Sequence, residues 1–277
     1  MLKKSLPLML LIANPGQAEE LTIAAGQTYQ AQKNLKLERL VMEDGATLIA
    51  PQGIKQWQVE ARQAWLIGNS YIKANGSAGT NGPHAAAGNL DNQTAPCETG
   101  QSGHPGNHGA DGSDGIRLQL KLGIAHFDHL HINARGGEGG RGGSGSDGAP
   151  GGKARGCNGG DGGRGGDGGN GGLGGRGGDV TLHYWISGQQ VSVPITNYGE
   201  GLIVSTAGGQ GGTAGAAGEG GKGGKGRFEK RTTNITVTRE SGKHGRAGQA
   251  GKSGQPGEDG KFRITNSAAD DRTLGSR

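Results

Sequence analysis

Residues 159–178 read GGDGGRGGDGGNGGLGGRGG, a strict Gly-Gly-x repeat in which 14 of 20 positions are glycine. A period of three fits neither the turn of an α-helix nor the alternation of a strand, but it matches polyproline-II-type helices, which have three residues per turn. One stripe of side chains then faces outward and two stripes are bare backbone. Such a backbone has no internal hydrogen bonds. A buried helix of this type must therefore give its N–H and C=O groups to neighbours, and close approach needs a face without Cβ.

Two further stretches are dense in glycine, 136–152 (GGEGGRGGSGSDGAPGG) and 208–226 (GGQGGTAGAAGEGGKGGKG). Two others, 100–115 (GQSGHPGNHGADGSDG) and 242–260 (GKHGRAGQAGKSGQPGEDG), carry it only at every third position. Two bare stripes allow contact on two sides and one stripe on one side, which places 159–178 near the centre of a bundle and the sparse runs nearer its edges. A flexible linker need not hold phase over six triplets. A collagen triple helix is disfavoured by only 9 prolines in 277 residues.

Residues 21–75 differ, with short apolar runs separated by turn signals at Asp44-Gly45, Pro51-Gln52-Gly53 and Gly68-Asn69. That spacing predicts strands in a sheet or the rungs of a parallel β-solenoid. Further strands are predicted at 116–122, 127–134, 179–186, 190–195, 201–207, 234–239 and 261–265. Junctions at Tyr71–Gly76, His131–Gly136 and Ile203–Gly208 each read as a strand leading into a glycine run, so glycine excursions leave a β base and return to it. Counting from Gly76 and Gly136 puts Cys97 and Cys157 at the distal turns of two such excursions. Each arm would span roughly 55 to 65 Å at about 3.1 Å per residue. The expected fold is mainly β and irregular, a β-solenoid-like base bearing antiparallel polyglycine-II helices, with essentially no α-helix in the mature chain. The divisions are 1–18, 19–75, 76–265 and a flexible tail at 266–277.

Residues 1–18 (MLKKSLPLMLLIANPGQA) read as a secretory signal peptide with a mature start at Glu19. Removing Lys3 and Lys4 leaves 27 basic against 24 acidic residues, a net charge of +3 rather than +5. The charges are interspersed and aromatic content is 4%. Both features argue against a nucleic-acid groove. No later segment has the apolar length of a transmembrane helix, so the mature chain is expected in a bacterial periplasm, at the cell surface or secreted, without membrane insertion. Apolar residues make up 30% of the chain. One large oily core is then out of reach, leaving inter-run backbone bonding, a small β core and a disulfide to hold the fold. Cys97 and Cys157 are the only cysteines, and a bond between them is expected in an oxidising compartment, free or intermolecular thiols being the alternative.

Chemistry-bearing constellations are sparse. His129 and His131 share a strand face two residues apart, near His126 and His183, a pair able to chelate zinc or copper but more simply a solvated face. Asp161 and Asp167 stand in period three, unlike the nonapeptide of calcium-binding β-rolls. Glu43 and Asp44 read as turn chemistry. No nucleophile elbow, P-loop or zinc-protease motif occurs, and neither an enzyme nor a cofactor is indicated.

Residues 76–260, about two thirds of the chain, resemble polyglycine-II helical bundle proteins. The repeat architecture is similar to that of the tip adhesins of T-even-like phage tail fibres, whose bundle-end loops grip host receptors, and of glycine-rich snow flea antifreeze proteins. This likeness implies fold more than function. It suggests an exported structural or adhesive protein whose tip turns meet a surface glycan, a protein receptor or another copy. The tip residues are His84, Asn92, Gln93, Thr94, Glu98, Lys153, Arg155 and Asn158. The alternatives are a carbohydrate-active enzyme on the β-solenoid and an ice-binding protein. The alternation of Glu138, Arg141, Asp161, Arg164, Asp167 and Arg176 in the outward stripe argues against ice.

Overall fold

A computed structural model describes residues 19–86, 94–191, 195, 201–232 and 235–267. The segment read as a signal lies outside the described residues, as do the tail from 268 onward and residues 192–194 of the strand expected at 190–195. The described chain has no helix and is mainly strand and extended irregular backbone. In order the strands are β1 (Glu20–Ile23), β2 (Thr28–Gln30), β3 (Leu35–Met42), β4 (Thr47–Ile49), β5 (Gln56–Lys73), β6 (Arg117–Asn133), β7 (Val180–Val191), β8 (Leu202–Ser205), β9 (Arg227–Thr232), β10 (Ile235–Arg239) and β11 (Phe262–Asn266). β9 and β10 form an antiparallel hairpin, and the other nine share one parallel sheet.

That sheet has two arms. The first follows β1-β3-β5-β6-β7-β11; the second pairs β2 with β4, β4 with the end of β5, and β8 with the end of β6. The long strands β5 and β6 belong to both arms, so the two stretches 116–122 and 127–134, expected as separate strands, are one strand with a register shift between Ile124 and His126. The bend between arms is made by glycine. Gly45 has φ of 74° and Gly68 φ of 59°. A β-carbon disfavours both. Gly45 N–H donates to Asn69 O at 2.8 Å, and Asn69 N–H donates to Asp44 Oδ1 at 2.7 Å.

Alternation then fills the space between the arms. β3 buries Leu35, Leu37, Leu40 and Met42 and exposes Lys36, as a half-buried strand should. The row Leu48, Ile72, Ile132 and Val204 crosses the second arm in register, and Trp57, Leu120, Leu122 and Phe127 complete the core. Trp57 satisfies its indole N–H on Lys33 O at 3.1 Å, as a buried tryptophan needs.

Each rung has one place where the chain crosses from the second arm to the first. Between β2 and β3, and between β4 and β5, the crossing is a short loop. After β5, β6 and β8 it is a long excursion of two glycine runs. The runs among the described residues are, in order, 76–85, 100–115, 136–154, 159–178, 208–226 and 242–260. Odd runs leave the second arm and even runs enter the first. Sheet ladders therefore continue into run ladders without a break: Ala74 N–H bonds Asn133 O, and Gly76 N–H then bonds Arg135 O. Runs in the same layer are parallel, and runs in facing layers are antiparallel.

One triplet of the fourth run shows how this works. Gly168 N–H donates to Gln249 O of the sixth run and Gly169 N–H to Gly143 O of the third, both at 2.8 Å. Asp167 O accepts from Gly106 N–H of the second run and Gly169 O from Gly215 N–H of the fifth. The fourth run thus bonds to four neighbours, and the sixth, with a single glycine stripe, to two. The second run bonds to three rather than lying at an edge, because 76–85 forms a further run beyond it.

Short polar side chains complete the accounting. Asp111, Asp114, Asp147, Asp161, Asp167, Asn170 and Asp179 each turn an oxygen onto a backbone N–H of the parallel neighbour, at 2.6 to 2.9 Å. The aspartates of Gly-Gly-Asp are acceptors for orphan amides. Asp167→Ala also removes the partner of Arg164. It is expected to cost about 1 kcal/mol and to speed amide exchange at Gln249, the residue whose N–H it holds. Unchanged exchange there would remove this role.

Candidate functional site

Among the described residues, the turns between outgoing and returning runs fall at the end of the array opposite the sheet. They are residues around 94–98, 153–158 and the β9–β10 hairpin. The first two are joined by the Cys97–Cys157 disulfide, with Cα atoms 6.0 Å apart and a sequence separation of 60. Cys97 N–H also reaches Lys153 O at 3.1 Å. The second and third are joined without a covalent bond: Gly156 N–H donates to Glu229 Oε1 at 2.7 Å.

The residues expected to form a tip divide sharply. Glu98, Lys153 and Arg155 are exposed there. Thr94 and Asn158 also lie there but are used internally, Thr94 Oγ1 donating to Pro150 O at 2.6 Å and Asn158 Oδ1 accepting Glu240 N–H at 3.1 Å. His84 is elsewhere: its Nδ1 accepts Ser144 N–H at 3.0 Å, halfway along the third run. Asn92 and Gln93 lie outside the described residues.

The residue missed by sequence reading is Phe228, 76% exposed on β9. Arg227–Thr232 reads RFEKRT, with one apolar residue and no alternation, so nothing along the chain marked it as a strand. Beside Phe228, Glu229 stands between two arginines. Its Oε2 lies 3.6 Å from Arg239 Nε, and Arg227 is the cross-strand partner of Arg239. The Gly156 N–H, with Arg239 and Arg227 adding to it, holds the Glu229 carboxyl below the usual carboxylate value of 4.5. A carboxyl lowered on folding stabilises docking above its unfolded pKa, and the contribution is lost as pH falls through the lower folded value. Hairpin amides are therefore expected to lose exchange protection on acidification below 4.5 before the sheet does, and Glu229→Ala to remove that pH dependence.

The histidines do not converge on a metal geometry. His126 Nε2 sits 3.2 Å from Asp128 Oδ1, and Asp128 Oδ2 accepts Gly68 N–H at 2.8 Å, which holds that carboxyl below its usual range. His131 stacks on Tyr71 with ring centroids 4.8 Å apart, and burial, then the His129 charge, pushes its pKa down. His129 is exposed beside it, while His183 pairs with Lys121 on the first arm. Among the described residues no group of three or more His, Cys, Asp or Glu is placed to hold a metal ion. Among them too, no helix is long and apolar enough to cross a membrane.

No protein-family model and no curated protein matches this chain. Among solved structures a similarity is found to the nine polyproline type II helical bundle springtail antifreeze protein from Granisotoma rainieri. It has 25% identity and covers 66% of this chain and 93% of that one, with a TM-score of 0.09, too low to carry an argument about fold or activity.

Proposed function

We propose that this chain is an exported attachment or matrix protein. In this reading a β-solenoid-like base carries a bundle of polyglycine-II helices, and the bundle holds its distal turns against a negatively charged surface. The reading rests on Phe228. A phenylalanine left so open to solvent at the end of a backbone-bonded array adds little to packing there, and it stands beside exposed basic side chains, aromatic rings and arginine being the types enriched where a partner covers a surface. Lys153, Arg155, Lys225 and Arg227 are exposed at the same end, which favours an anionic partner such as an acidic surface glycan. The long excursions end together at this point, so residues far apart in sequence are presented side by side. The disulfide suits an oxidising compartment.

Retention of the purified full-length protein on cells or on beads carrying an acidic polysaccharide tests the reading. Phe228→Ala and Arg227→Ala are each expected to weaken retention severalfold and to leave the unfolding midpoint unchanged. Replacing 94–98 and 153–158 except the cysteines by Gly-Ser is expected to reduce it further. Undiminished retention in all three variants would refute the assignment, and loss on a protein-coated but not a glycan-coated surface would move it to a protein receptor.

A further inference from the structure

The array is shorter across its width than the sheet beneath it. Rungs β1–β2 and β3–β4 have no glycine excursion, so the short loop 50–55 stands beside the flank of the first long hairpin. That step encloses an open cleft of about 970 Å³ at the junction of sheet and runs. One wall is the loop, from Pro51 to Gln56; the floor is the root of the first, second and fourth runs, including Asn75, Ser77, Asp114 and Arg176.

The charges in this cleft are not balanced. Asp179 accepts Lys261 N–H at 2.9 Å and lies 3.5 Å from Arg176 and 3.8 Å from Arg117. Asp114 Oδ1 accepts Arg176 N–H at 2.8 Å. Both carboxylates are thus committed within the fold, whereas Lys55 and Lys73 line the cleft, are exposed and have no ion-pair partner among the described residues. Gln52 and Gln56 add uncharged donors and acceptors, Asn75, whose Oδ1 accepts Arg135 N–H at 3.1 Å, adds an amide donor, and no aromatic ring lines the cleft among the described residues.

We propose that this step cleft binds a short acidic oligosaccharide, with its carboxylates on Lys55 and Lys73 and its hydroxyls on the amide side chains. Ligand clefts are of this size, and a few convergent polar groups fix orientation within them. Hydroxyl-rich ligands match the amide lining, and charge-assisted bonds to lysine discriminate an acidic sugar from its neutral counterpart. The site is separate from the distal turns and does not depend on what they contact. Asp114 and Asp179 each hold a backbone N–H, so we assign both to the fold rather than to the ligand.

Titration of the full-length protein with trigalacturonate, and with its methyl ester as the neutral counterpart, tests this. Binding of the acid alone is expected, weakening about tenfold with either Lys55→Ala or Lys73→Ala and with added salt. Phe228→Ala is expected to leave it unchanged, which separates this site from the distal one. Both lysines are exposed, so thermal melts should coincide with wild type and confirm that the variants are folded. No binding, equal binding of the ester, or full affinity in the double lysine variant would overturn the proposal. Shortening of the trisaccharide would overturn the purely structural assignment of the two aspartates.

Discussion

Gly169→Ala is expected to destabilise the protein by about 3 kcal/mol, read as a lower denaturant midpoint. The sign is the informative part. Gly169 has no left-handed φ. At such positions alanine ordinarily stabilises by about 0.5 kcal/mol through the unfolded chain. Here a β-carbon would collide with the Asn107 carbonyl oxygen of the second run. Relieving the clash means moving that run, whose Asn107 O accepts Gly143 N–H, or moving the fourth, which at Gly169 itself bonds to Gly143 and Gly215. Gln249 occupies an exposed position of the sixth run. Its replacement by alanine is expected to change stability by no more than about 0.5 kcal/mol. Equal effects from the two substitutions would show that the runs are not packed at backbone contact.

Loss of the Cys97–Cys157 bond is expected to produce the second large effect. The two cysteines are separated by 60 residues. For a loop of that length the chain-entropy estimate is about 4 kcal/mol, an upper figure for the stability lost in the double serine variant. The loss should be uneven. Cys97 holds φ at 70°, and its N–H is tied to Lys153 O. A left-handed conformation costs a non-glycine residue about 1.5 kcal/mol. Without the bond that turn relaxes, and amides near it, such as Gly152, exchange faster. Amides of the sheet core, such as Leu120, keep their protection. Uniform loss of protection, or two free thiols by mass in the native wild-type protein, would contradict this.

The period-three runs and the strand junctions were legible because each rests on a local requirement. Close backbone approach demands glycine at fixed intervals, and the step from Ala74 or Ala134 into a glycine run marks where alternation stops. Glycine density placed 159–178 among the inner runs, and it shares the highest number of bonded neighbours, four, with 136–154. The disulfide followed from there being only two cysteines in a chain read as exported, with both counted to distal turns. What stayed hidden depended on partners distant in sequence. The acceptor role of Asp161 and Asp167 needs a neighbour 82 residues away, which no window along the chain displays. The run at 76–85 was read only as an arm because its glycines are few. Asn266, assigned to a tail, pairs with Tyr184 as the end of β11. At the distal end Lys153 and Arg155 are exposed. His84 does not join them, since an imidazole nitrogen in a glycine run serves as one more backbone acceptor.

The unbroken passage from sheet ladder to run ladder has a mechanical consequence. Each run is anchored to the sheet at one end and linked to its neighbours side by side, so a pull on the distal turns along the long axis loads the ladders in shear. Many weak bonds then bear the force together, each worth about 1 kcal/mol alone. A sideways pull on the sixth run, held by two neighbours, would instead peel bonds one after another. The fold is therefore expected to resist a pull along that axis better than one across it.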